Sequence, residues 1–236
     1  MRRLTSPCVC LVTDRRRLSP DARTTLEEIR ALEAWLDEAI DLVDLIQIRE
    51  RDLPASHLCA LVTGIAGRAR GTRTTVVVND RADVGLASGA DGLHVRADGP
   101  PVDRLRALGP PHWLMGRSIH SLAEVGPTPG VDFREPANRL PESSLADYLI
   151  FGTVFRSASK PDGQTQGLEA VRALTAAATV PILAIGGIDP SRAAACRAAG
   201  AAGIAAIGIF LPDGRAPEAM GITRAVEALR AAMTAE

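Results

Sequence analysis

Residues that can bind anions, hold a metal ion or move protons follow short apolar runs along much of the chain. The candidate catalytic residues are Arg49, His120 and Lys160, and the candidate substrate- and phosphate-binding residues are Gln47, Arg51, Asn79, His94, Arg117, Ser118, Gly186, Gly187 and Gly208. A guanidinium group can hold a phosphate or a carboxylate through two parallel hydrogen bonds. An imidazole can accept and donate a proton near neutral pH. These residue types therefore indicate chemistry on a small anionic molecule.

Several of these residues also have a purely structural interpretation. Arg49 can pair with a nearby acid such as Asp80, and Asn79 and Asp80 can form a turn or cap before a helix. His94 can be a strand-end histidine with satisfied hydrogen bonds, and His120 can cap a short helix. The functional alternatives are anion binding by Arg49, magnesium binding by the carboxylate of Asp80 and proton transfer by His120.

Glycines near the C-terminal end of the chain indicate a phosphate site. Gly186 and Gly187 follow the seventh apolar run, and Gly208 follows the eighth. Backbone amides without side chains can approach an anion closely at these positions of an eight-unit barrel. Lys160 is the one lysine among 27 cationic side chains, and its compact charge suits a phosphate group.

The elements that must position these residues alternate between apolar runs and helix-like stretches. Eight strand–helix units at a spacing of roughly 30 residues predict an α/β fold, a (β/α)8 barrel whose strand C-terminal ends share one mouth. An open doubly wound sheet is the rival, but no G-x-G-x-x-G motif follows the first strand. The predicted strands are 8–13, 42–48, 74–78, 92–95, 113–115, 148–151, 181–185 and 203–207. The predicted helices are 24–40, 55–70, 82–88, 101–108, 121–125, 168–178, 191–199 and 218–233.

Composition narrows the function classes. Hydrophobic residues make up 46% of the 236 residues, charged residues 23%, and the net charge is −1, which predicts one globular domain over 1–236 without a basic surface for nucleic acid. The apolar runs are too short or too interrupted for a membrane span or a signal peptide. Cys8 and Cys10 alternate within a strand pattern, which predicts buried free thiols and a cytoplasmic location.

Residues 126–144 contain four prolines and show no helical periodicity. They are expected to form an irregular loop on the bottom face of the barrel.

The chain resembles the thiamine phosphate synthase and TenI superfamily over nearly its whole length. The matching stretches, in order and spacing, are 11–14 (LVTD), 47–51 (QIRER), 78–81 (VNDR), 89–94 (GADGLH), 116–120 (GRSIH), 147–152 (DYLIFG) and 184–188 (AIGGI). The resemblance implies a (β/α)8 barrel that acts in thiamine biosynthesis. It also implies a phosphate ester substrate and leaves open a homo-oligomer.

The superfamily contains two activities. The synthase joins a thiazole phosphate to a pyrimidine pyrophosphate and uses magnesium. The TenI-type tautomerase shifts a proton on a thiazole carboxylate phosphate and requires no metal. By resemblance, Asp80 matches a magnesium ligand and residues 157–160 match the pyrophosphate loop, which favours the synthase.

Departures from the synthase pattern favour the tautomerase. Gly99 stands where the synthase has a second acidic ligand, although Asp98 is adjacent, and Arg51 stands where it has a lysine. Gly208 stands near the place of a phosphate-binding serine. The sequence analysis therefore favours a tautomerase in which His120 moves the proton, and Arg49 and Arg117 are candidates for the thiazole carboxylate. The synthase, a non-catalytic binder of a thiamine-related phosphate and another phosphate-binding barrel isomerase are the alternatives.

Overall fold

A computed structural model describes residues 4–124, 146–156 and 164–235. Eight parallel strands form a closed barrel in which each strand pairs with its sequence neighbours and β8 pairs with β1. The strands are β1 (Cys8–Val12), β2 (Leu45–Ile48), β3 (Thr75–Asn79), β4 (Gly92–Val95), β5 (Leu114–Ile119), β6 (Tyr148–Gly152), β7 (Ile182–Ile185) and β8 (Gly203–Ala206). The predicted (β/α)8 barrel is confirmed.

Helices separate most of the strands. They are α1 (Arg15–Leu18), α2 (Thr25–Ala39), α3 (Ala55–Ala69), α4 (Ala82–Ser88), α5 (Val102–Leu108), α6 (Gly167–Ala177), α7 (Pro190–Ala198) and α8 (Ile222–Thr234), with short 3₁₀ helices at Leu122–Glu124 and Gly208–Phe210. Two of the longer helices, α2 and α7, begin at side-chain caps. Thr24 and Glu27 form a reciprocal capping box at α2, and Asp189 caps α7 ahead of Pro190. In the described part of the chain, no helix has both the length and the apolar character that crossing a membrane requires.

Alternation along the strands divides the buried side chains into two layers. On β1, Cys8, Cys10 and Val12 pack inside the barrel, whereas Val9 and Leu11 pack outward against the helices. The cysteines of the chain are free thiols, and burial raises the pKa of the Cys8 and Cys10 thiols. The same alternation decides which polar side chains at the strand ends can reach the barrel mouth.

Strand β5 is longer than the predicted run 113–115, and its length turns Arg117 away from the mouth. Leu114 packs in the inner layer, whereas Met115 and Ile119 pack in the outer layer. Arg117 therefore also faces outward, and its guanidinium donates hydrogen bonds to the carbonyls of Ala97 at 2.7 Å and Pro100 at 3.2 Å. The expectation that Arg117 lies with the substrate-binding residues is corrected: it holds the β4–α5 connection.

Two sequence-based expectations fall on parts of the chain that the structure does not cover. The predicted irregular loop, 126–144, and Lys160 both lie outside the described residues. The short helix α1 was not predicted, because four residues are too few to show a helical hydrophobic period.

Candidate active site

A cavity of about 490 Å³ opens at the C-terminal ends of the strands. It brings together eleven of the candidate residues, which come from six strand ends. These residues are Gln47, Arg49, Arg51, Asn79, Asp80, His94, Ser118, His120, Gly186, Gly187 and Gly208. Such a mouth is where barrel enzymes build their active sites, because side chains from several strand ends converge there.

The two arginines of the β2–α3 connection reach the cavity from a firmly held loop. The backbone N–H of Arg49 donates to the hydroxyl of Thr13 at 2.8 Å. Next to it, buried Glu50 accepts hydrogen bonds from the backbone N–H of Arg15 at 3.1 Å and from its guanidinium at 3.0 Å. Arg49 makes no ion pair with Asp80 or with another acid within 4–124, 146–156 and 164–235, so within these ranges its guanidinium is available to an anion.

Arg15 is the centre of this support. It is 3% exposed and also binds both carboxylate oxygens of Asp52, at 2.6 and 2.8 Å, and Glu28 at 2.8 Å. The hydrogen bond from Arg15 lowers the pKa of Asp52 to about 2. Burial raises the pKa of Glu50 despite its hydrogen bonds from Thr13 and Arg15. A buried carboxyl next to a buried guanidinium fixes the loop that carries Arg49 and Arg51.

A chain of side-chain hydrogen bonds orients Gln47. Asp80 accepts from the Nδ2 of Asn79 at 2.8 Å, and the Oδ1 of Asn79 accepts from the Nε2 of Gln47 at 2.8 Å. Because a carboxylate oxygen can only accept, the direction of both amides is set. Gln47 is 3% exposed, and its Oε1 is buried with no hydrogen-bond partner among the described residues. The cavity therefore presents an unsatisfied acceptor that an N–H group of a ligand can satisfy.

Asp80 is positioned by long-range contacts. It has a positive φ of 60°, and its Oδ1 accepts from the backbone N–H of Arg96 at 2.8 Å. It does not cap α4, because the N-cap position is occupied by Arg81, which makes no side-chain cap bond. The interpretation of Asp80 as a helix cap is therefore wrong, and the carboxylate faces the cavity.

The residues at this wall suit a magnesium ion that takes most of its ligands from substrate and water. Asp80 and Asp98 both line the cavity, but Asp98 pairs with Arg96 at 2.9 Å and its side chain is 82% exposed. A side chain at Gly99 would crowd Val95 and the carbonyl of Arg96. Within the described ranges no group of three or more His, Cys, Asp or Glu could hold a metal ion. One carboxylate with substrate phosphates is nevertheless a usual magnesium environment.

His94 is buried between two hydroxyl groups. Its Nδ1 lies 3.1 Å from the Tyr148 hydroxyl, and its Nε2 lies 2.8 Å from the Ser118 hydroxyl. Burial, helped by the charge of Arg49, lowers the pKa of His94 to about 3. The ring is therefore neutral at physiological pH and does not act as a cationic anion binder.

His120 is exposed at the other side of the mouth. Its Nδ1 lies 2.6 Å from the carbonyl of Gly152, which can only accept, so Nδ1 carries the proton. In the neutral ring Nε2 is then the basic nitrogen. The 3₁₀ helix that follows is capped by other groups: the backbone N–H of His120 and the hydroxyl of Ser121 both donate to Glu124. The imidazole is therefore not a helix cap, and proton transfer remains open to it.

The glycines after β7 pack tightly against the segment that follows β6. Gly186 and Gly187 have positive φ values of 106° and 61°. A side chain at Gly186 would overlap Thr153, and one at Gly187 would overlap the carbonyl of Arg156. Both glycines line the cavity with their backbone exposed to a ligand.

Two charged lining residues, Arg17 and Glu218, were not among the residues that the sequence placed at the mouth. Glu218 lies in the connection before α8, and a side chain at Gly208 would overlap its carboxylate. Nothing in the sequence spacing indicates that a residue twelve positions after β8 folds back onto the mouth. Arg17 had a weaker signal, since it lies one turn of helix after Asp14, whose side chain accepts its backbone N–H.

The chain is similar to known proteins in sequence and in fold. The chain is 39% identical over 186 residues to a thiamine-phosphate synthase of Moorella thermoacetica, covering 78% of this chain and 80% of the relative. It is 35% identical over 188 residues to a thiamine-phosphate synthase of Methanoculleus marisnigri, covering 79% and 80%. Among solved structures, a thiamine phosphate pyrophosphorylase of Pyrococcus furiosus superposes with a TM-score of 0.71 at 26% identity, covering 98% of this chain and 95% of the other.

A family model described as thiamine monophosphate synthase matches residues 9–210. The match covers β1 from Val9 onward, the other seven strands in full and every lining residue named above except Glu218. The chain belongs to the thiamine monophosphate synthase family.

Proposed function

We propose that this protein is a thiamine-phosphate synthase, which joins a thiazole phosphate to a pyrimidine pyrophosphate and releases pyrophosphate. The proposal rests on one observation. Arg49, Asp80 and the glycine pair Gly186–Gly187 all line the same cavity. Two anionic groups need separate binding places, and the arginines and the bare backbone amides offer two. The similarity to relatives named thiamine-phosphate synthase supports the same choice over the tautomerase.

The residues divide the task as follows. Arg49 and Arg51 bind the pyrophosphate group, because guanidinium forks match phosphate oxygens. The amides at Gly186 and Gly187 bind the phosphate of the thiazole. The Oε1 of Gln47 accepts an N–H of the pyrimidine half, which fixes its position relative to the thiazole. Holding both halves together in this way replaces a bimolecular encounter by a positioned reaction.

Asp80 is the residue that would hold magnesium, together with oxygens of the substrate. When bound there, the ion supplies neutralisation of the negative charge that grows on the departing pyrophosphate. Arg49 supplies positive charge to the same group from the end of the neighbouring strand β2.

The tautomerase is a second candidate because of one observation. His120 has its Nδ1 proton committed to the carbonyl of Gly152, so its Nε2 is a base that faces the cavity. A proton shift on a thiazole needs such a group and no leaving pyrophosphate.

A product assay separates these candidates. Purified protein is incubated with the thiazole phosphate, the pyrimidine pyrophosphate and magnesium, and with each component omitted in turn. The synthase predicts thiamine phosphate only in the complete mixture, and Arg49→Gln lowers kcat/KM for the pyrimidine pyrophosphate by about 10- to 100-fold, the worth of hydrogen bonds to a charged group. The matched control Arg104→Gln, an exposed arginine of α5, leaves kcat/KM unchanged.

Other outcomes identify the alternatives. Interconversion of thiazole carboxylate phosphate tautomers without thiamine phosphate formation would replace the synthase by the tautomerase. Tight binding of thiamine phosphate with no turnover of either kind would indicate a non-catalytic binder.

A further inference from the structure

Three inward-facing residues of neighbouring strands form a continuous row from the barrel interior to the cavity. His94 of β4 pairs in register with Gly116 of β5, and Gly116 pairs with Tyr148 of β6. Because Gly116 has no side chain, the rings of His94 and Tyr148 meet across it with their centroids 5.6 Å apart. A side chain at Gly116 would overlap both rings. Ser118, two residues further along β5, meets the other side of the imidazole and lines the cavity.

The protonation states of the two buried rings are set by their surroundings. Burial keeps the pKa of His94 far below neutrality, so its ring is neutral and carries one N–H. Burial raises the pKa of Tyr148, so its phenol keeps its hydrogen. The row therefore contains one N–H and two O–H hydrogens to be distributed over its hydrogen bonds.

Only one distribution satisfies the buried phenol. Among the described residues, the hydroxyl of Tyr148 has a single hydrogen-bond partner, the Nδ1 of His94. If Nδ1 carried the imidazole proton, the phenolic hydrogen would have no acceptor, and an unsatisfied buried donor costs about 1–3 kcal/mol. Tyr148 must therefore donate to Nδ1, which places the imidazole proton on Nε2. The Nε2–H then donates to the oxygen of Ser118, and the hydrogen of the Ser118 hydroxyl is left for another acceptor.

We propose that Tyr148 is a positioning residue that acts through His94 to aim the hydroxyl hydrogen of Ser118 into the cavity. The directed row runs from Tyr148 to His94 to Ser118 and ends on an acceptor atom of the bound substrate. This assignment of the acceptor rests on the proposed function, in which the cavity holds phosphate and pyrophosphate oxygens. Without Tyr148, the Ser118 hydroxyl can instead donate to Nε2, and its hydrogen is lost to the substrate for part of the time.

The tautomer of His94 is measured by nitrogen NMR of the full chain with labelled histidines and no substrate. The chain has four histidines, and the signals that disappear in His94→Gln identify those of His94. The row predicts a protonated Nε2 and an unprotonated Nδ1 in the unaltered protein, and an increased share of protonated Nδ1 in Tyr148→Phe. A protonated Nδ1 in the unaltered protein would overturn the proposal.

A double-mutant cycle tests the action through Ser118. Tyr148→Phe keeps the ring and is expected to lower kcat/KM for thiamine phosphate formation by about threefold to tenfold, the effect of one hydrogen bond. In a Ser118→Ala background the same change is expected to lower kcat/KM by less than about twofold, because the hydroxyl that Tyr148 aims is gone. Equal effects in both backgrounds would contradict a role through Ser118. A protein that makes no thiamine phosphate but shows the Nε2–H tautomer would overturn the proposed function and leave the directed row standing.

Discussion

Two histidines at one cavity have opposite properties because their surroundings differ. His94 is enclosed by Tyr148 and Ser118 and is held neutral by burial. His120 is exposed and is fixed through Nδ1 by a backbone carbonyl. The first can orient a neighbour but cannot gain a proton easily, whereas the second has a basic nitrogen facing the ligand space. The sequence predicted His120 as catalytic and His94 as substrate-binding, but it could not predict that His94 is buried and neutral.

The sequence placed Gln47, Arg49, Asp80 and His120 at the mouth because each follows a recognisable buried run. It could not foresee the direction of the Gln47 amide, which depends on Asn79 and Asp80 from another strand. It misplaced Arg117 because the predicted strand ended at residue 115, so the strand alternation was not extended to Arg117, which faces outward with Met115 and Ile119.

Replacing Asp80 tests the metal at the residue scale. Asp80→Asn keeps the size of the side chain but removes the carboxylate charge, so we expect kcat/KM for thiamine phosphate formation to fall by about 100-fold or more and the magnesium concentration for half-maximal rate to rise. Asp98→Asn is the control, since Asp98 is largely exposed and paired with Arg96; it should change the rate by less than about threefold. Equal losses in the two variants would show that Asp98 shares the metal.

Replacing His120 separates the two candidate reactions. His120→Asn cannot cycle a proton, and positioned acid–base groups contribute about 100- to 10,000-fold to proton transfer. Group transfer to release pyrophosphate depends on charge neutralisation instead, so we expect thiamine phosphate formation to fall by less than about tenfold. Rates of both reactions are measured on the same preparation. A loss of thiamine phosphate formation as large as 1,000-fold would make His120 part of the synthase chemistry.

At the scale of elements, the short helix α1 and the β2–α3 connection form one unit. Arg15 holds Glu50 and Asp52 from the side opposite to the cavity, and Arg49 and Arg51 alternate with these acids along the chain. Alternation thus turns two guanidinium groups toward the ligand and two carboxylates toward Arg15. A helix of four residues gives no periodic signal, so this support could not be predicted from the sequence although its acids and arginines were visible.

Removing Arg15 should weaken both stability and anion binding. Arg15→Ala leaves the buried Glu50 without its partner, a change that costs about 3–5 kcal/mol in the free energy of unfolding. The control Arg16→Ala removes an exposed arginine that pairs with the same Asp52 and should cost less than about 1 kcal/mol. Urea unfolding and inorganic pyrophosphate affinity are measured for both. If folded Arg15→Ala binds pyrophosphate with normal affinity, Arg15 is not needed to hold Arg49 and Arg51 in place for anion binding.

At the scale of the whole molecule, the eight-unit alternation of apolar runs and helices was enough to predict the closed barrel. It succeeds because parallel strands buried on both faces read as continuous apolar runs, and because short connections leave few other topologies. The prediction is weakest where a connection folds back over the mouth, as at Glu218, since no local pattern encodes such a return. Strand ends, by contrast, are fixed by the barrel and so carry most of the site.

The buried His94 predicts how stability depends on pH. Its pKa is about 3 in the folded protein and near 6.5 when unfolded, so the unfolded chain binds more protons between these values. Stability should therefore be constant with respect to this group above about pH 6.5 and fall below it, by up to about 1.4 kcal/mol per pH unit. Tyr148, which contacts the ring, keeps its proton throughout that window because burial raises its pKa. Urea unfolding between pH 4 and pH 8 should show a steeper slope for the unaltered protein than for His94→Gln; equal slopes would contradict a neutral buried ring.

The most direct test of the proposed activity is a quenched time course that counts both products in one sample. The protein is mixed with thiazole phosphate, pyrimidine pyrophosphate and magnesium, and thiamine phosphate and pyrophosphate are quantified at each time. If the protein is a thiamine-phosphate synthase, thiamine phosphate and pyrophosphate appear together in a one-to-one ratio. Neither product appears when the thiazole phosphate is omitted. Absence of both products, with interconversion of thiazole tautomers by the same preparation, would contradict the proposed activity.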